Sequence, residues 1–285
     1  MALPNPQHVV LFHHFRRFLE RAAEAGVDAA PLKGAHLVTS VYPPGEDRGM
    51  MADVDFLVRE RDWVRTFELL EELGFERNLD EDRAVSLDAF YEAGFRLPLG
   101  DGRSILFEPH RQFVQPARHP IDYDAVWDRS EPSTFDGAPC RRLAVEDTFL
   151  HGVIHLMTHR FLGAPRGLRD LELLAKSEPL DWCALCERAV RWQCATGLWL
   201  TLDLLAETGR LDAPTRAVDR IRPPLPLRRA LRFLVPTQDG FRFPGTTLRA
   251  QEGLLWPLLL DSPKQLVRFG LGFARLRVGD WWTSG

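Results

Sequence analysis

The segment RGMMADVDFLV, residues 48 to 58, constrains the fold more than any other stretch of this chain. Val54, Phe56, Leu57 and Val58 are strand formers, so the segment belongs in a sheet. Yet Asp53 and Asp55 stand one residue apart within it. Strand side chains alternate faces, so both carboxylates point the same way. Like charges at that spacing repel, and burial raises the cost. A divalent cation between them reverses the repulsion, and magnesium takes one or two carboxylates together with substrate phosphates. A bare D-x-D also occurs at ordinary solvent-facing strand ends, so its surroundings decide.

Twenty residues upstream, PLKGAHL places Lys33 and Gly34 between an apolar strand and a helix. A glycine at such a turn lets backbone approach a phosphate, and a helix N-terminus favours anions. Lys33 adds a point charge for the same anion. Its placement is informative because lysine is scarce: Lys33, Lys176 and Lys264 are the lysines among 36 basic residues. Arg48 lies on the loop entering the aspartate strand. Downstream, SILFEPH reads as a strand with Ser104, Leu106, Glu108 and His110 on one face. If it neighbours the aspartate strand, Asp53, Asp55 and Glu108 converge, as two-metal phosphoryl chemistry requires. Pro109 removes a ladder donor, so the strand is expected to lie at an edge or an end there.

The pattern around these pieces divides the chain. Residues 8 to 25 form a helix stopped by Gly26, and residues 61 to 73 an amphipathic helix stopped by Gly74. Residues 88 to 110 read as a hairpin turning at GDG, and 111 to 142 as an irregular connection with short strands. From about residue 145 the patterns are helical to the end. The fold class is therefore α+β. A mixed sheet with flanking helices occupies residues 1–142, and an α-helical domain, 143–285, closes a cleft.

Composition excludes some functions. A net charge of −4 argues against long nucleic acid as a partner. No apolar run is long enough for a membrane span, and no leader pattern opens the chain. With Cys140, Cys183, Cys186 and Cys194 read as free thiols, a cytoplasmic setting is expected.

Taken in order, PLKGAHL, YPPGEDRGMMADVDFLV, LLEELGF, FEPH, EDTFLHGVIHLMTH and LRDLELL resemble the uncharacterised nucleotidyltransferase family of the DNA polymerase beta superfamily. The resemblance covers roughly residues 25 to 175. It implies a minimal nucleotidyltransferase fold that transfers an NMP, AMP first among them, from an NTP to an acceptor with release of pyrophosphate. It implies Asp53, Asp55 and Glu108 as catalytic ligands of two Mg²⁺ ions, with Lys33, Gly34 and Arg48 on the phosphates. The acceptor would be a small molecule, peptide or protein. A catalytically inactive nucleotide-binding or scaffold protein of the same fold is the alternative. Wider superfamily members carry Gly-Ser at this turn, where this chain has Lys33-Gly34, as in the resembled family.

Other residues have weaker cases. His151, His155 and His159 fall at i, i+4 and i+8 on one helix face. Zinc needs three or four ligands, and no H-E-x-x-H or matching cysteine set is present. His110, His155 and His159 stand as candidate nucleotide contacts, beside ordinary packing for the helical pair. A metal-dependent phosphohydrolase would instead need His155, His159 and Asp170 to converge with a fourth ligand. Asp170 is better read as an ion-pair partner of a nearby arginine. Cys183-x-x-Cys186 sits in a helical pattern and, with Cys194, reads as small buried residues. His13 and His14 read as a solvated helix edge, and Trp256, Trp281 and Trp282 as core or partner surface.

Overall fold

The computed structural model describes residues 6–43, 46–77, 91–100, 102–114, 118–162, 164–237, 242–243 and 248–267. The first part of the expected hairpin, Asp101 of its turn, and Trp281 and Trp282 lie outside the described residues. The chain divides into two compact units. One comprises Met1–Gln115 and Tyr123–Ala144, the other Pro116–Asp122 and Val145–Gly285. Among the described residues no helix is long and apolar enough to cross a membrane.

The first unit begins with helix α1 (Pro6–Glu24), strand β1 (Ala29–Pro31), helix α2 (Lys33–Ser40) and strand β2 (Asp53–Val58). A short 3₁₀ turn (Glu60–Asp62) leads into α3 (Trp63–Glu72), which ends in a left-handed Gly74 with φ +89°. Strands β3 (Glu76–Arg77), β4 (Phe95–Pro98) and β5 (Ser104–His110) follow. The sheet order is β1-β2-β5-β4-β3. β2 and β5 run parallel at its centre, and the other pairings are antiparallel. This is the mixed α+β sheet that the sequence pattern indicates.

Alternation along the central strands separates two faces. Val54, Phe56 and Val58 of β2 and Ile105 and Phe107 of β5 are buried against Leu11, Phe15 and Phe18 of α1 and Phe67 and Leu70 of α3. The Phe15, Phe18, Phe56 and Phe107 rings pack within 4.7–6.4 Å of one another. Burying each such ring stabilises the fold by about 2–3 kcal/mol. The opposite face of the same strands is left for Asp53, Asp55, Glu108 and His110.

The connection from 111 to 142 is more ordered than its composition suggests. Helix α4 (Tyr123–Arg129) precedes a hairpin of β6 (Glu131–Phe135) and β7 (Ala138–Arg142). The short strands were expected and the helix was not: two turns with adjacent apolar Val126 and Trp127 show no helical period. Phe135 joins the aromatic core, 4.9 Å from Phe15.

The second unit holds α5 (Val145–Thr158), α6 (Ala164–Ser177), α7 (Trp182–Arg191), α8 (Ala195–Glu207), α9 (Thr215–Arg220), α10 (Leu225–Leu234) and α11 (Leu248–Leu259). Among the described residues the helical reading of this region holds. Inside it, Arg188 pairs at 2.8 Å with Asp147, which is fully buried. The segment before α4 belongs to this unit through His119, whose Nδ1 lies 3.0 Å from the Trp192 carbonyl. Trp256 is buried there beneath the guanidinium of Arg118.

Candidate active site

The site is built by register. β1 pairs with β2 so that Pro31 faces Phe56, and the Leu32 N–H extends the ladder to the Asp55 carbonyl at 2.9 Å. The next residue, Lys33, turns the chain into α2 with φ +42°, a left-handed conformation that lysine rarely adopts. Its ammonium consequently reaches over β2, and Nζ donates to Asp55 Oδ1 at 2.6 Å. On the other side, the parallel β2–β5 pairing sets Asp55 level with Glu108 and Leu57 level with His110. His110 Nε2 lies 2.9 Å from the same Asp55 Oδ1.

Pro109 does not place β5 at an edge, because β4 flanks it on one side and β2 on the other. It is instead the next-to-last residue of the strand. The Ala93 N–H donates to the Pro109 carbonyl at 3.1 Å, so the missing proline N–H leaves one gap beyond the regular part of β4. Glu108 keeps its place beside the aspartate strand.

Gly34 is required by close approach. A Cβ there would stand 2.4 Å from Met51 Sδ and 2.8 Å from Arg48 Nη1. The loop that carries Arg48 and Met51 into β2 thus rests on the first turn of α2. Leu32, at the N-cap of α2, offers no side-chain hydrogen bond to the helix N–H groups.

The electrostatics are uneven. Burial alone would push Asp55 up, but the His110 hydrogen bond and the Lys33 ammonium prevail and hold its carboxyl below the usual carboxylate range. Burial and the neighbouring charge of Asp55 push Asp53 up. Burial, then the charges of Asp55, Asp53 and Glu92, push Glu108 up to about 8. Burial works against the Lys33 charge, yet Asp55, Glu108 and Glu92 together raise its pKa.

Glu92 is a fourth acid that the sequence reading missed. It forms an isolated bridge with His110, and its Oε2 lies 3.5 Å from His110 Nδ1. Its place opposite His110 continues the register of the hairpin expected over residues 88 to 110, although Glu92 itself lies outside the regular strand.

Among the described residues, Asp55, Glu108 and His110 bring ligand atoms within 4.8 Å of one another, a set able to hold a metal ion. Two carboxylates and an imidazole, with burial and then the charges of Asp55, Asp53 and Glu92 pushing Glu108 up, fit a divalent cation. Asp53 shares the face but stands outside that tight set. His151, His155 and His159 belong to the helical unit and form no such group among the described residues. Helix α5 ends at Thr158, so His159 lies in the turn beyond it, its ring 4.3 Å from that of His155. His151 is buried and Asp170 is buried. Cys186 and Cys194 are buried free thiols, whereas Cys183 is exposed, contrary to the expectation for it. Its N–H is used by Asp181, which caps α7. His13 is exposed at the helix edge, as expected.

The model of the uncharacterised nucleotidyltransferase family matches residues 6–209 of the chain. The chain belongs to the uncharacterised nucleotidyltransferases. The match takes in Lys33, the Asp53–Asp55 strand, Glu108, His110 and the α5 histidines. No curated protein matches this chain by sequence. Solved structures resemble it distantly. An antigenic nucleotidyltransferase-like protein from Paracoccidioides brasiliensis is 16% identical with a TM-score of 0.43, over 74% of this chain and 92% of that one. The antibiotic-resistance factor ANT(2'')-Ia in solution is 13% identical with a TM-score of 0.37, over 59% and 84%. The same factor in complex with adenylyl-2''-tobramycin is 14% identical with a TM-score of 0.36, over 58% and 88%. None is near enough to transfer a residue role to this chain.

Proposed function

We propose that the protein transfers an NMP from an NTP to an acceptor, releasing pyrophosphate, at the acid cluster on β2 and β5. The observation that carries this reading is the meeting of Asp55, Glu108 and His110 beside Lys33, in a chain of this family. Asp53, Asp55 and Glu108 hold divalent cations, Mg²⁺ in the first instance, with His110 fixing the Asp55 carboxylate. When bound, the cation supplies positive charge to the reacting phosphate and acidifies the attacking group.

The chain's own residues do the rest. Lys33 and the opening N–H groups of α2 bind the β- and γ-phosphates, and Gly34 leaves backbone free to approach them. Arg48, packed against Gly34, adds charge on the same side. The acceptor oxygen attacks the α-phosphorus and its proton passes to the Glu108 carboxylate. The bond from the α-phosphorus to the bridging oxygen breaks, and pyrophosphate leaves. ATP is the donor to test first. The acceptor is a small molecule, a peptide or a protein, since the acidic net charge of −4 disfavours long nucleic acid.

The test is calorimetric titration of the four NTPs, with and without Mg²⁺, into wild type and Asp53→Asn. Mg²⁺-dependent binding that is lost in the variant supports the reading. Folded wild type that binds no NTP, or a variant that binds as well as wild type, refutes it.

A further inference from the structure

We propose that Lys33 is the resident counter-ion of the acid cluster and admits a divalent cation only together with a nucleotide's phosphates. The inference rests on the nucleotide reading above for the identity of the ligand that draws Lys33 away.

The geometry places Lys33 where a metal must go. Its Nζ is 2.6 Å from Asp55 Oδ1, and that oxygen also receives His110 at 2.9 Å. Asp55 is the member common to the candidate metal set and to the lysine pair. Lys33 is a largely buried ammonium, 23% exposed, standing near Asp55, Glu108 and Glu92. Its left-handed backbone is a conformation that persists only where the surroundings over-determine it.

A free cation arriving at Asp55 meets this ammonium at close range, and the two positive charges repel in a partly buried site. It must displace the ammonium without giving it another partner. A cation carried on a polyphosphate brings oxyanions to the first turn of α2, and these accept the ammonium as it leaves Asp55. Occupancy by cation and by nucleotide is then coupled, and each raises the affinity for the other.

Residue choice agrees with exchange. Arginine supplies most of this chain's cations, yet the residue against Asp55 is one of its few lysines. A guanidinium fork holds a carboxylate through two parallel hydrogen bonds and resists release. An ammonium on a flexible stem moves between partners.

The test is calorimetry of full-length wild type, Lys33→Met and Lys33→Arg with Mn²⁺ alone, ATP alone and preformed Mn·ATP. Wild type is expected to bind Mn·ATP at least tenfold more tightly than Mn²⁺ alone. Lys33→Met is expected to bind Mn²⁺ alone at least tenfold more tightly than wild type, and Mn·ATP at least tenfold more weakly. Lys33→Arg, which keeps the charge should the methionine variant fail to fold, is expected to bind Mn²⁺ alone no better than wild type. A methionine variant with no gain for free Mn²⁺, or an arginine variant with a tenfold gain, overturns the counter-ion role. Wild type that gains affinity for Mn²⁺ on Lys33→Met but binds no ATP in any form refutes the nucleotide reading alone. Nucleotide binding without that gain refutes the counter-ion role alone.

Discussion

Asp53 and Asp55 share one face of β2 but not one environment. Asp55 is 4% exposed and bonded to Lys33 and His110, while Asp53 is less buried and feels Asp55 as a repelling charge. If a cation alone made the pair tolerable, neutralising either would leave the metal-free fold intact. The structure separates them. Asp55→Asn leaves the Lys33 ammonium without its counter-charge and is expected to cost about 2–4 kcal/mol, since breaking a buried pair costs about 3–5 kcal/mol and asparagine retains one acceptor. Asp53→Asn relieves repulsion and is expected to be neutral or slightly stabilising. Urea unfolding without metal measures both, and equal effects would refute the distinction.

Gly34 is expected to tolerate a methyl group poorly because of where Met51 and Arg48 lie. Gly34→Ala places carbon 2.4 Å from Met51 Sδ and forces that buried side chain aside. The expected stability cost is about 1–3 kcal/mol, typical of overpacking. Nucleotide affinity is expected to fall about tenfold, equivalent to about 1.4 kcal/mol. Adding Met51→Ala removes the sulfur, so the double variant should recover affinity. An unrelieved loss in the double variant would place the effect away from Met51, with Arg48 Nη1, 2.8 Å from the added carbon, the remaining contact.

Two buried histidines make the fold acid-sensitive. Burial, with Arg142 nearby, lowers His36 to about 4, and burial lowers His119 to about 4. Both ordinary values are 6.5, so between pH 6.5 and 4 the unfolded chain binds protons that the folded chain refuses. Stability is therefore full above pH 6.5 and falls as pH drops toward 4, by up to about 3 kcal/mol for each group. His119→Gln should shrink this acid loss, as read by urea midpoints at pH 7, 5.5 and 4.5. An unchanged pH slope would show that His119 does not carry it.

Asp261 caps helix α8 from a distant part of the chain. Its two oxygens accept the N–H groups of Ala195 at 2.6 Å and Thr196 at 2.9 Å. Cys194, the local N-cap residue, provides no side-chain bond. Asp261→Ala is expected to cost about 1–2 kcal/mol, the range for loss of a helix cap. Asp261→Asn, keeping one acceptor, should cost less, and identical losses would deny the capping role.

The centre of the site was legible because its pieces carry strong local signals. An apolar strand with two aspartates, a Lys-Gly turn and a Glu-x-His strand each follow a two-residue or turn rule. The β2–β5 register then aligns Asp55 with Glu108 as the shared face requires. What escaped reading depends on contacts far apart in sequence. The Lys33–Asp55 bond spans 22 residues and follows from a left-handed backbone that lysine does not advertise. Asp261 caps α8 across 66 residues. Helix α4 escaped because it is too short to show a period, whereas Pro109 stands near a strand end, one of the two places its sequence allows, where β4 has already left the regular ladder.

The most direct measurement is anomalous diffraction from crystals grown with Mn²⁺ and an ATP analogue that resists cleavage at the α–β bridge. The expected result is manganese bonded to Asp55 and Glu108, the triphosphate on Gly34 and the first turn of α2, and Lys33 Nζ moved from Asp55 onto a phosphate. Manganese away from these carboxylates, at His155 and His159 for example, with Lys33 still on Asp55, would contradict it.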